Sequence, residues 1–238
     1  MAETPLLEAR QVSRTYPGAA GVTAVRRASV TLAPRDFVLL MGPSGSGKTT
    51  FLGMLAGFDE PDEGQVHWRG RPFGDLGRDE LLDVRRTGIA VIFQSYGLLP
   101  ALTAVENVEL PLRVNGTDLS EARDRAADWL ERLDLGHRID HRTFELSGGQ
   151  QQRVAVARAL VAEPDVVLAD EPIAEVDSEN ADLILSALWE VVVRGGAVLA
   201  ATHDPAALRY ASRVVLFRDG TIEGEGSPDE VAAKLTTD

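Results

Sequence analysis

Apolar residues along this chain fall into two patterns. Short continuous runs at Phe37 to Met41, Ile89 to Phe93, Asp165 to Ala169 and Ala197 to Thr202 have the length of strands buried on both faces. Stretches between them carry apolar residues three and four apart, which predicts helices, among them Thr50 to Ala56, Arg78 to Arg86 and a long one over Asp177 to Val193. Ahead of this alternation stand two strand-like segments, Leu6 to Thr15 and Val22 to Leu32, separated by a turn at Pro17-Gly18. Residues 64–70, GQVHWRG, predict another short strand. The chain closes with a strand over Arg213 to Phe217, a hairpin signal at Asp219-Gly220 and a helix capped by Ser227 with Pro228 and Glu230.

Between Ser95 and Phe144 the alternation of strand and helix stops, and the segment reads as mainly helical, punctuated by Pro100 and Pro111. Its clearest helix starts at Asp118, with Glu121 three residues on as a capping-box pair. That helix places Ala122, Ala126, Trp129, Leu130 and Leu133 on one apolar face, so Trp129 is assigned to packing. A helical insertion of this size in an α/β framework predicts a subdomain, over about residues 95–160 of a single domain spanning 1–238.

Each of the buried runs ends in polar residues. Phe37 to Met41 leads into Gly42, Pro43, Ser44, Gly45, Ser46, Gly47, Lys48 and Thr49, which match the phosphate-binding pattern G-x-x-x-x-G-K-[ST] at every fixed position. The glycines let the backbone turn so that successive N–H groups point at phosphate oxygens. Lys48 adds a point charge, the Thr49 hydroxyl is placed to coordinate Mg²⁺, and the helix that continues through Thr50 directs its positive end at the same anion. Taken alone, this loop leaves kinase, GTPase and motor open. Ile89 to Phe93 ends at Gln94, Asp165 to Ala169 at Asp170-Glu171, and Ala197 to Thr202 at His203. In open α/β sheets ligands bind at the carboxyl ends of strands. Ionised carboxylates at the end of a dry strand need a partner: Mg²⁺ would supply it for Asp170, leaving Glu171 to polarise an attacking water, with His203 contacting phosphate or water. A second anion-ready helix start lies at Ser147, Gly148, Gly149 and Gln150, where Ser147 and Gln150 have capping-box spacing. Tyr16, beside the first turn, reads on pattern alone as strand-end packing rather than a ligand platform.

Composition narrows the setting. The 238 residues, 44% hydrophobic and 26% charged, suit one large globular domain, and no apolar run approaches the ~18 residues that span a bilayer. The sequence has no cysteine, which excludes disulfides and thiolate metal sites. A formal charge of −13 opposes the attraction that dominates nucleic-acid binding, so no nucleic-acid partner is expected. The first residues, MAETPLLEARQ, carry no secretion signal, and the cytosol is the default location.

GPSGSGKT, Gln94 after a strand, LSGGQQQR, VVLADEP and His203, in that order and at this spacing, resemble the ATP-binding-cassette (ABC) ATPases over nearly the whole chain. The resemblance implies an α/β fold: a P-loop NTPase core of mostly parallel sheet with flanking helices, an N-terminal antiparallel β subdomain and the inserted helical subdomain. It implies ATP and Mg²⁺ as cofactors, with Thr49, Gln94 and Asp170 at the metal, Glu171 as general base, and Lys48, Gln94 and His203 completing the catalytic set. It also implies Tyr16 as the adenine-stacking aromatic, and Ser147 to Gln150 as contacts to nucleotide held by a second copy of the chain in an ATP-dependent head-to-tail dimer.

QSYGLLPALTAVENVELPL and SGGQQQR resemble more narrowly the lipoprotein-release and macrolide-exporter class, whose relatives include a cell-division ATPase. In that class the ATPase partners an integral-membrane permease, which implies a peripheral place on the inner face of the cell membrane. Export or extraction of an amphiphile, lipoprotein or drug is the expected role. Transmembrane signalling to a cell-wall hydrolase is the alternative, and a soluble role in DNA repair or translation fits poorly with a single acidic cassette. Leu98, Leu99 and Leu102, after Gln94, belong either to the permease contact or to the subdomain core. One departure stands out: where the family has a small or hydroxyl residue and then Leu-Asp after the Walker B strand, this chain has Ile173, Ala174, Glu175 and Val176 before Asp177. The family places this loop at the dimer seam, where Glu175 either weakens closure by like-charge repulsion or lies in solvent.

Overall fold

The computed structural model describes residues 4–17, 21–174 and 176–235, with side chains described up to 231. In chain order the elements are β1 (Leu7–Tyr16), β2 (Val22–Leu32), β3 (Phe37–Met41), α1 (Lys48–Leu55), β4 (Glu63–Trp68), β5 (Arg71–Pro72), α2 (Arg78–Asp83) and β6 (Ile89–Ile92). After these come α3 (Ala104–Val114), α4 (Leu119–Arg132), α5 (Gly148–Leu160), β7 (Val166–Asp170), α6 (Ser178–Val193), β8 (Ala197–Ala201), β9 (Arg213–Arg218), β10 (Thr221–Gly226) and α7 (Pro228–Leu235).

Two sheets organise them. One has the order β10-β9-β3-β8-β7-β6, with β10 antiparallel to β9 and the other neighbours parallel. The other, β2-β1-β4-β5, is antiparallel throughout. This is the expected α/β architecture with its N-terminal antiparallel part.

The parallel strands are apolar along their length because both faces are covered. Every residue of β3, β7 and β8 is buried, and alternate residues serve different cores. Phe37, Leu39 and Met41 join a cluster built with α3, α4, α5 and α6, whereas Val38 and Leu40 join one built with α1, β1 and β2. The α4 stripe is buried as the periodicity predicts, Trp129 included.

Three local expectations are corrected. Asp118 does cap α4, but its carboxylate accepts from the backbone and hydroxyl of Ser120, and no capping box with Glu121 forms; Glu121 instead faces Arg125 one turn on. Pro111 does not interrupt a helix: α3 runs through it, started by a capping box between Thr103 and Glu106. The predicted helix over Arg78 to Arg86 changes register after Asp83 into a π turn over Val84–Gly88, where Gly88 lies so close to the Trp68 ring that a Cβ would approach it to 2.7 Å. The second half of the Pro17-Gly18 turn lies outside the described residues.

Candidate functional site

Neighbouring parallel strands align their carboxyl ends, so the sheet order β3-β8-β7-β6 sets side by side the Gly42–Thr49 loop, His203, the pair Asp170-Glu171, and Gln94. A cavity of about 660 Å³ opens there. Ser44 to Thr50, Gln94, Asp170 and Glu171 line it, together with Thr23, Ala24 and the Asp219-Gly220 turn.

The loop holds its shape by close backbone contact. A Cβ on Gly42 would sit 1.9 Å from the Phe217 carbonyl oxygen, and one on Gly47, where φ is +105°, would sit 2.2 Å from that of Ala24. Those two glycines let the loop press against β9 and β2. Gly220 donates its N–H to Ser46 O at 2.8 Å, tying the β9–β10 turn to the same loop. Gly47 is the cap residue of α1 and offers no side chain to its first amides, so they are left to a ligand.

Lys48 is buried and donates from Nζ to the carbonyl oxygens of Gly42 at 2.7 Å and Pro43 at 3.1 Å, which folds it over the loop mouth. Thr49 donates its hydroxyl to Asp170 Oδ2 at 2.6 Å. Burial pushes the Asp170 carboxyl above the usual range, against the opposing pull of the Thr49 hydroxyl. Glu171 is only 9% exposed and has φ +49°, a left-handed conformation that costs an L-residue about 1–2 kcal/mol. Its Oε1 meets His203 Nδ1 at 3.1 Å, while Oε2 is buried with no protein partner, as is Ser46 Oγ. A strained backbone and an orphaned buried oxygen mark a group kept for something that enters the cavity.

The donor set fits Mg²⁺. A hydroxyl, a buried carboxylate and an amide are hard oxygen donors of the kind this ion takes when phosphates and waters fill its remaining positions, and a cation would relieve the burial cost at Asp170. Among the described residues no cluster of three or more His, Cys, Asp or Glu suits a metal held by protein alone.

Other predicted residues stand apart from this cavity. His203 reaches it only through Glu171; its ring lines a neighbouring apolar pocket with Gly42, Pro43 and Phe217. Tyr16 does not line the cavity, but it pairs across the sheet with Val22, which does. Ser147 to Gln150 lie outside the lining as well. There Ser147 accepts from the Gln150 backbone, and Gln150 Oε1 accepts from the Ser147 N–H at 3.0 Å, the capping box its spacing predicts. The contributions of Val22 to Ala24 and Asp219-Gly220 had no signal as lining in the sequence, because they reach the loop only through folding.

Comparison with known proteins places this geometry. The family described as ABC transporter matches residues 25–174. The chain belongs to the ABC transporter ATPases. An ABC transporter ATP-binding protein of Methanocaldococcus jannaschii is 39% identical over 91% of this cassette and 97% of its own length. Macrolide export ATP-binding/permease proteins MacB of Hyphomonas neptunium and Paracoccus denitrificans are 42% and 44% identical over 97% and 93% of the cassette. The cassette spans only 36% and 34% of their lengths. Among solved structures, the ATP-binding cassette MJ0796, captured as a dimer in a post-hydrolysis state with ADP and Pi, superposes with a TM-score of 0.88 at 37% identity, covering 93% of this chain and 98% of that one.

Proposed function

We propose that this cassette hydrolyses ATP to drive an integral-membrane permease, and that two copies close head to tail around two Mg·ATP. The observation that carries the reading is the convergence of the phosphate loop, Asp170-Glu171 and Gln94, from the ends of β3, β7 and β6, on one cavity, with His203 from the end of β8 joined to it through Glu171. In this reading the amides of Gly45 to Thr50 and Lys48 bind phosphates, and Thr49, Gln94 and Asp170 hold Mg²⁺, which would neutralise charge on the phosphates. Glu171 takes the proton of the attacking water, His203 orients the Glu171 carboxylate and faces the γ-phosphate, and Tyr16 stacks on adenine. Ser147 to Gln150 serve nucleotide held by the other copy; their place outside this chain's cavity, with a complete helix cap and two glycines, supports that role. Residues 95–160 form the helical subdomain that carries this motif, supported by the packing of α3, α4 and α5 in one cluster.

Ser147→Arg tests the division of labour. ATP binding by the isolated chain is expected to remain within about twofold of the parent, while hydrolysis falls roughly 100-fold because an arginine blocks closure. Equal loss of binding and hydrolysis would move Ser147 into its own chain's site and overturn the head-to-tail arrangement.

No helix among the described residues is long and apolar enough to cross a membrane. In this reading, work on a membrane passes through the permease. Beside Gln94 lies a groove of about 290 Å³ lined in part by Phe58, Arg85, Phe93, Gly97 and Arg158. Phe58 and Phe93 stack at 5.8 Å yet remain 51% and 39% exposed, and Arg85 covers the outer ring at 5.0 Å. Aromatic surface left open beside a site residue supports docking of a permease segment here. Of the three leucines after Gln94, Leu98 packs on the core, which supports the core role for it, whereas Leu99 is exposed and stays open to the permease role. Export of an amphiphile is the transport reading that the macrolide-export names of the relatives support. A Phe58→Asp/Phe93→Asp variant is expected to lose the permease in pull-downs from membranes while keeping basal hydrolysis, and undiminished recovery would remove this groove from the proposal.

A further inference from the structure

Tyr16 ends β1 and is 40% exposed, but neither its hydroxyl nor one face of its ring is free. The hydroxyl donates to Asp59 Oδ2 at 2.5 Å, and the Arg14 guanidinium lies over the ring, its Cζ 5.2 Å from the centroid. Arg14 is itself held by two carboxylates: Asp59 at 2.6 Å through Nη2, and Asp62 at 2.7 Å through Nη1. Asp62 also accepts the Thr15 N–H at 2.7 Å and gives its own N–H to Ser13 O at 2.9 Å. Both acids sit on the connection after the phosphate-loop helix. Asp59 N–H and Phe58 N–H bond the carbonyl of Gly53 inside α1 at 3.2 and 2.9 Å.

A tyrosine at a strand end is ordinarily free to turn about its side-chain torsions, and a base that stacks on it must offset that entropy. Here the hydroxyl is committed, and the guanidinium fills one face, leaving a single face for a ligand. A cation on the far side also polarises the ring, as Arg-aromatic contacts do.

We propose that Arg14 and Asp59 are positioning residues that lock Tyr16 as a one-faced platform for the nucleotide base and fix its distance from the phosphate loop through α1. The inference rests on the reading of Tyr16 as the base-stacking residue. Because the Tyr16 hydroxyl is committed to Asp59, the platform acts through its ring face alone.

The test compares binding of Mg·ATP with binding of Mg·tripolyphosphate, which has phosphates but no base, by calorimetry on the whole chain. Tyr16→Ala is expected to weaken ATP roughly tenfold and leave tripolyphosphate unchanged. Arg14→Ala and Asp59→Asn are expected to weaken ATP roughly threefold to tenfold, again with tripolyphosphate unchanged, raising KM for ATP hydrolysis without lowering kcat. Adding Arg14→Ala to Tyr16→Ala is expected to cost nothing further, since one acts through the other. Parent-like ATP affinity in Arg14→Ala and Asp59→Asn, with Tyr16→Ala still impaired, overturns the positioning role. Equal loss of ATP and tripolyphosphate in these two variants also overturns it, because that places them in support of α1 rather than of the base. An unimpaired Tyr16→Ala instead overturns the stacking reading beneath it.

Discussion

Glu171→Gln is expected to lower ATP turnover about 10²–10⁴-fold while leaving nucleotide binding intact. The amide keeps the volume of the carboxylate, and it can keep the contact at 3.1 Å to His203 Nδ1. What it loses is basicity at the second oxygen, Oε2, which is buried and has no protein partner. In the proposed reading, that oxygen holds the attacking water and takes its proton. With Asp170 and Lys48 unchanged, ATP still binds, so hydrolysis stalls after closure. Light scattering with Mg·ATP is then expected to show a stable dimer in the variant and mainly monomer in the parent protein after turnover. Turnover near the parent's rate would remove Glu171 as general base.

Lys48→Ala is expected to act one step earlier, at binding. The Lys48 ammonium is buried and satisfied by two carbonyls of its own loop. In the proposed reading, binding exchanges those neutral carbonyl acceptors for ionised phosphate oxygens, which adds attraction between opposite charges to bonds whose donor is already charged. Removing the ammonium forfeits this gain and leaves the Gly42 carbonyl without its side-chain donor. A loss of affinity of about 100-fold is expected for both ATP and ADP by equilibrium dialysis, with the fold retained in circular dichroism. Unchanged affinity would contradict the placement of phosphate in this loop.

The departure after the Walker B strand takes a physical form in the structure. Ile173 is 2% exposed and joins the main core cluster, and Val176 packs against the same cluster. Apolar anchors thus bracket the loop at the positions where the family pattern differs. Glu175 lies outside the described residues. Asp177 caps α6 by accepting the Asn180 N–H at 2.9 Å, so its local task is to start that helix.

Much of this was legible from local pattern. Buried parallel strands announce themselves as short apolar runs, because a strand covered on both faces has no polar position to offer, and β3, β6, β7 and β8 were each placed to within a residue or two. Capping pairs at Ser147 and Ser227 form as their spacing predicts. Where spacing misled, at Asp118 and Pro111, a competing local bond or the packing of a longer helix prevailed.

The chemistry of the loop from Gly42 to Thr49, the polar residues after each apolar strand, and the family were all determined by the sequence itself, since each depends on neighbours along the chain. Only the tertiary structure decided that the strands run β3-β8-β7-β6 across the sheet, which sets His203 against Glu171 and Thr49 against Asp170. It alone brought the Ala24 carbonyl and the Asp219-Gly220 turn against the phosphate loop, and fastened Tyr16 to Asp59, with Arg14 over its ring. Most of those contacts join residues tens to hundreds of positions apart. Strand order and side-chain packing create them, and no periodicity along the chain encodes either.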